Sequence, residues 1–291
     1  MGLFRLSDLF HTPRVHRVPK ASKDGNEVGL DPELLLEEAV ALLRPHQLPT
    51  CFGFRGQEAT TQTEPTASRV WGEPYGEAGD DWPCEPSDGQ PMVFLLQVNR
   101  AQLPLEIAIP DGLTVVFADA QHMESCEPCS GDGPLMVRHY AAPAAPTYVR
   151  LNEPPRESRP ERPVGHELTF EAGLALPDFD SMWIDADDEL YGPLARWLQA
   201  KEWLGSREAL KEARRQLASA PSREPLLQVG GHPVWVQGAE PPDKGQLPHE
   251  RFLMQINAAS ELGICWYDYG SIYLYTDDAS LRARHAVFQC S

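Results

Sequence analysis

One short pattern occurs twice in this chain. Val93-Phe94-Leu95-Leu96-Gln97-Val98-Asn99 returns as Arg251-Phe252-Leu253-Met254-Gln255-Ile256-Asn257. Fifteen residues after each glutamine stands a glycine, Gly112 and Gly270, and each glycine precedes another apolar run, 113–117 and 271–275. A constant offset of 158 residues relates the two copies (255 − 97 and 270 − 112). A period of this length, met twice, points to two related halves rather than to a solenoid of many short repeats.

The repeated runs lack polar–apolar alternation, so they read as strands buried on both faces. Pro110-Asp111-Gly112 is a turn signal before the strand at 113–117, and 50–54, 135–140, 272–275 and 286–290 read as further strands. Val234 and Val236 alternate with Trp235 and Gln237, which also suggests a strand. Helical spacing appears at Leu34, Leu35, Ala39, Leu42 and Leu43, with Asp31 as cap, Pro32 in the first turn and Pro45 as stop. Two more helices are expected at 193–204 and, capped by Ser206, through 217, and a short one at 278–283. Proline occurs 28 times, which favours turns and edge strands over a helical bundle. The expected class is α+β, with mostly antiparallel or mixed β structure, an internal pseudo-two-fold duplication and a few flanking helices. The expected organisation is a loosely held arm at 1–30 and one domain at 31–291. Within that domain lie repeat 1 at 68–140, a helical connection at 141–225 and repeat 2 at 226–291.

The 25 basic and 43 acidic residues give a net charge of −18. Such a surface repels phosphate backbones and anionic membranes, so neither nucleic acid nor membrane is expected as a partner, whereas a basic protein would be steered in. No apolar run is long enough to span a bilayer, and Arg5 and Asp8 interrupt the start, which does not read as a secretory signal. Six scattered cysteines in a chain this large suit free thiols in a reducing cytoplasm.

Ser68-Arg69-Val70-Trp71-Gly72-Glu73-Pro74-Tyr75, Trp82-Pro83, the first repeated strand and Pro110-Asp111-Gly112 follow one another in the order of the YwqG-like family, which the chain resembles. The later block resembles it more closely, through 227–237, Phe252-Leu253-Met254-Gln255-Ile256, 266–275 and the ending Phe288-Gln289-Cys290-Ser291. The likeness covers most of 31–291. Two departures stand out: Trp71-Gly72 where the family tends to have two glycines, and Tyr267-Asp268 where glycine-aspartate is usual. The resemblance implies a pseudo-symmetric α+β fold of two halves and no established activity. Distant kin, the programmed cell death 2 proteins, imply a dedicated chaperone, and bacterial members beside polymorphic toxins imply an immunity or peptide-binding role.

Gln97 and Gln255 are amides inside apolar strands, and a buried amide must find partners. They could bind a peptide backbone or tie together loops of their own half, as could Asn99 and Asn257. Trp235, Gln237, Gln255, Trp266, Asp268 and Tyr269 form the candidate binding set, with the aromatics as an exposed rim gripping a peptide and Asp268 as either a rim residue or a turn cap. Cys126 and Cys129 with His122 and His139 offer four zinc donors on paper, but one Cys-x-x-Cys pair is thin evidence and no metal is expected. The acidic residues at 178–188 lack EF-hand spacing and read as a solvated face. No nucleophile elbow, phosphate loop or cofactor motif occurs, so no catalytic residue and no cofactor is assigned. The expected function is non-catalytic binding of a basic protein or extended peptide by an immunity protein or dedicated chaperone. The alternative is an enzyme, for example a hydrolase, with an unrecognised site in the cleft between the two halves.

Overall fold

The computed structural model describes residues 4–5, 31–85, 88–119, 135–151, 154, 163–177, 183–184, 192–200, 203–236, 251–266, 269–276 and 284–289. Its strands are β1 (Phe4–Arg5), β2 (Leu48–Glu58), β3 (Arg69–Val70), β4 (Val93–Asn99), β5 (Leu113–Ala118), β6 (Leu135–Tyr140), β7 (His166–Ala175), β8 (Trp183–Ile184), β9 (Leu227–Gly230), β10 (Arg251–Asn257), β11 (Ser271–Thr276) and β12 (Arg284–Gln289). Its α-helices are α1 (Pro32–Leu43), α2 (Gly192–Ala200) and α3 (Trp203–Leu217). The chain divides into two compact units.

The smaller unit comprises Met1–Leu48, Leu174–Ala220 and Gln237–Glu240 and holds the helices. The Asp31 carboxylate accepts from the Glu33 amide at 3.0 Å and Pro32 occupies the first turn, which starts α1 where its sequence signals place it. Leu35, Ala39 and Leu43 from α1 share a buried cluster with Leu194 and Leu198 of α2 and Leu210, Ala213 and Leu217 of α3. Each large side chain so buried contributes about 1.5–3 kcal/mol. Ser206 is not a cap: α3 begins earlier, at Trp203, and Ser206 is buried inside it. In the same unit β1 pairs antiparallel with β8, so Phe4 and Arg5 of the expected loose arm are strand-paired.

The larger unit comprises Pro49–Gly173, Pro221–Val236 and Pro241–Ser291 and is built on a ten-stranded sheet ordered β12-β11-β10-β9-β2-β7-β3-β4-β5-β6. The strand pairs with a described register are antiparallel. The fold is thus a mostly antiparallel sheet with a few helices. All six residues of β5 and of β11 are buried, the polar Thr114, Ser271 and Thr276 included. Leu96, Val70, Cys51, Val229, Met254, Ile272 and Leu274 belong to one core cluster. Phe94, Val115 and Phe117 join Tyr75, Trp82 and Leu151 in another.

The two strand pairs that carry the repeated pattern have the same register. In β4–β5, Val93 faces Ala118 and Asn99 faces Leu113, with an irregularity between Phe94 and Leu96. In β10–β11, Arg251 faces Thr276 and Asn257 faces Ser271, with an irregularity between Phe252 and Met254. The turns that follow also match, because Arg100 N–H donates to Gly112 O at 2.8 Å and Ala258 N–H to Gly270 O at 3.0 Å.

Three expectations are corrected. The strand expected at Val234 and Val236 lies earlier, at β9, and 232–236 belongs to no ladder because side chains, not strands, take its backbone groups. The segment expected as a helical connection contains the ten-residue β7, whose Leu168 and Ala175 are buried. The strand at 50–54 is longer, eleven residues. The helix expected at 278–283 lies outside the described residues.

Candidate interaction site

Gln255 leads from the fold to the candidate site. Its carboxamide oxygen accepts from Val234 N–H at 2.9 Å, and its nitrogen donates to Asn257 Oδ1 at 2.8 Å. On the neighbouring strand, Tyr273 OH donates to Val234 O at 2.8 Å and lies 3.0 Å from Val236 N. Val236 N–H also points to Gln289 Oε1 on β12, at 3.0 Å. Gln228 on β9, opposite Gln255 in the register, donates to His232 O at 2.6 Å and to Gly230 O at 3.2 Å. Amides and a phenol on β9, β10, β11 and β12 therefore hold one short segment across the sheet. The Trp235 ring lies on Tyr273, with ring centroids 4.6 Å apart.

Because its backbone is held from beneath, the segment turns apolar side chains outward. Val234 is 58% exposed and Val236 39%. Tyr269, in the turn that leads into β11, is 68% exposed. It sits next to Gly270 and Ser271, and Ser271 faces Gln289 in the register, so Tyr269 and Val236 stand at the same end of β11 and β12. Tyr269 also adopts φ +55°, a left-handed conformation that costs a residue with a Cβ about 1–2 kcal/mol. Strain of this kind persists where surrounding structure enforces it, often at functional positions.

The other end of the sheet uses the same device and closes it. Gln97 is fully buried, accepts from Tyr75 N–H at 2.8 Å and donates to Pro65 O and Ala67 O at 2.8 and 2.7 Å. Here Tyr75, not an exposed valine, follows the turn. Its ring is buried against Tyr140 and Tyr148, at centroid distances of 4.9 and 6.0 Å. Its hydroxyl meets Glu77 Oε1 at 2.9 Å and Thr147 Oγ1 at 2.8 Å. Asn99 and Asn257 donate to Thr66 O and Pro225 O at 2.9 and 2.8 Å, so both asparagines fasten an approaching loop.

The candidate residues separate accordingly. Trp235, Gln255 and Tyr269 lie on or beneath the β9–β12 side of the sheet. Trp266 does not form an exposed rim: it is 2% exposed and belongs to the core, because its turn folds back through a Gly270 N–H to Trp266 O bond of 2.9 Å. Gln237 and Asp268 lie outside the described residues, as do His122, Cys126 and Cys129. His139 is on β6, with Nδ1 3.3 Å from Thr114 Oγ1. Among the described residues no group of three or more His, Cys, Asp or Glu side chains could hold a metal ion. No described helix is long and apolar enough to cross a membrane. Sequence reasoning missed Gln228, Tyr273 and Gln289. Gln228 and Gln289 carried a signal, since each is an amide within an apolar run, and Tyr273 carried none.

A family model described as a domain of unknown function (DUF1963) matches residues 68–286. No curated protein matches the chain.

Proposed function

From the premise that this chain belongs to the DUF1963 family, whose description carries no activity, we propose that it is a non-catalytic binding protein for a basic protein or extended peptide. The carrying observation is the contrast between the two ends of the sheet. Similar glutamine-held segments bury Tyr75 at one end and expose Val234 and Val236 at the other, beside a strained, exposed Tyr269. An apolar rim on a chain of net charge −18 suits a partner with an apolar patch framed by lysine or arginine.

The same reading takes the two ends as copies of one unit. The matched registers and turn bonds support this, as do the paired left-handed positions Trp71-Gly72 (φ +58° and +81°) and Gly230-Gly231 (φ +66° and +75°). Kinship with the YwqG-like and programmed cell death 2 proteins, a cytoplasmic location and service as an immunity protein or dedicated chaperone belong to this proposal.

The test is affinity capture of the tagged chain from its source-cell lysate at low and moderate salt. One dominant basic partner, released at moderate salt and lost with Val234→Asp at an unchanged melting temperature, is the expected result. Absence of any basic partner at low salt would sink the reading.

A further inference from the structure

Strand β12 is the last in the sheet order, and among the described residues nothing pairs with its outer side. Its outward-facing groups follow from neighbouring bonds. Asn257 N–H donates to Leu226 O at 2.9 Å on the β9 side, whereas Ala258 N–H donates to Gly270 O on the β11 side. Asn257 thus turns its polar groups away from β11, and its partner Ser271 turns its own toward β12. Ser271 pairs with Gln289, so Gln289, Val287 and His285 bond back to β11, while Phe288, Ala286 and Arg284 present N–H and C=O outward.

Sheet edges are usually guarded by charge, proline or a bulge. At the opposite edge, β6 carries Arg138 and His139 at its centre, and Arg138 Nη2 donates to Asp81 O at 2.6 Å. β12 carries its own Arg284 and His285 at its start, but the stretch Ala286-Val287-Phe288 that follows carries no charge. Over it runs the segment described above, with Val236 held by Gln289 of β12 itself and Tyr269 at the same end.

We propose that the β12 edge accepts an extended, lysine- or arginine-bearing segment of the partner by strand addition. The partner backbone bonds Ala286 and Phe288, and its side chains rest on Val236 and Tyr269. This rests on the binding reading above and adds a mode and a place to it. Main-chain bonds supply affinity, and the exposed Tyr269 ring offers a face to a cationic side chain. A second copy of this chain is the weaker occupant, because two bodies of net charge −18 repel one another.

The probe is an acetylated, amidated eight-residue peptide of alternating lysine and valine, added to the full chain at low salt and followed by amide hydrogen exchange. The Ala286 and Phe288 amides exchange fast in the free protein and become protected with peptide, while Val287, already in the ladder, changes little. Ala286→Pro removes an outward N–H and spares the ladder, so it weakens peptide binding at least about tenfold. Val137→Pro, at an outward position on the β6 edge, leaves binding unchanged. Three results overturn the edge proposal: no peptide binding, binding without protection at Ala286 and Phe288, or concentration-dependent dimers that protect those amides without peptide. A basic partner captured from lysate through Val234, with the β12 amides unprotected, removes the edge mode and leaves the binding reading standing.

Discussion

At φ +55° and 68% exposure, Tyr269 gives up backbone energy without recovering it by burial. Tyr269→Gly therefore stabilises the chain by about 1 kcal/mol while removing a ring from the rim. A raised melting temperature with weakened partner capture is the expected pair of readings. A lowered temperature would show that the ring packs in the fold. Trp71 has a similar conformation, φ +58°, for the opposite reason. Its ring is 1% exposed and its Nε1 donates to Leu262 O at 2.7 Å, so an indole fixed to the turn that follows β10 offsets the strain. Trp71→Gly loses about 3–5 kcal/mol despite the easier backbone. Among the repeated amides, Gln97 makes three main-chain bonds, whereas Gln255 makes one and leans on Asn257 and Ser271 for the rest. Gln97→Ala leaves the buried Tyr75 amide and the Pro65 carbonyl unmet, takes one of two donors from Ala67 O, and costs about 1–3 kcal/mol, more than Gln255→Ala. Urea midpoints of the two variants decide the order.

Gly112 carries the argument to the elements. It holds φ +114°, and a Cβ there would stand 2.1 Å from Tyr140 O and 2.9 Å from the Ala141 Cα. The turn entering β5 therefore passes against the end of β6, and Gly112→Ala forces that end away. The backbone strain alone is roughly 1–3 kcal/mol. Faster amide exchange confined to β6 is the expected result, and unchanged protection there would refute the close approach. Elements of this kind were legible in the sequence where one physical signal dominated. Unbroken apolar runs marked β4, β5, β10 and β11, and an aspartate–proline start marked α1. β7 was not legible, because its apolar positions sit among Glu167, Glu171 and Gly173 between stretches dense in proline and charge. The segment 232–236 misled for a different reason. Its alternation is real, but the groups that bond its backbone come from Gln255, Tyr273 and Gln289, far away in sequence. Nor could sequence distinguish the buried Trp266 from the half-buried Trp235, since both are tryptophans beside glycine turns and only the packing separates them.

For the whole molecule, charge and burial together set a pH window. Burial raises the Cys51 thiol above its ordinary 9.0, against the smaller opposing pull of the Leu105 backbone and Arg100. Burial raises the Tyr140 hydroxyl above 10.0, helped by its hydrogen bond to Asp80. Tyr148 is raised in the same way by burial and then by the Glu73 carboxylate. In the unfolded chain these groups ionise at their ordinary values, so above about pH 9 the unfolded state releases protons that the folded state retains, and stability falls. On the acid side, burial lowers His46 below 6.5. As pH drops through that value the unfolded chain takes up the proton first, and stability falls again. A net charge of −18 adds self-repulsion that grows with alkalinity, so added salt stabilises more at pH 9.5 than at pH 7.5. Urea midpoints across this range should show a broad maximum between roughly pH 7 and 8.5. Phenolate absorbance of the folded protein should show Tyr140 and Tyr148 ionising at higher pH than an exposed tyrosine. If all eight tyrosines titrate together near pH 10 in the folded chain, Tyr140 and Tyr148 are open to water, and the closed Tyr75 cluster that sets the N-terminal side apart from the exposed Val234–Val236 rim is not closed.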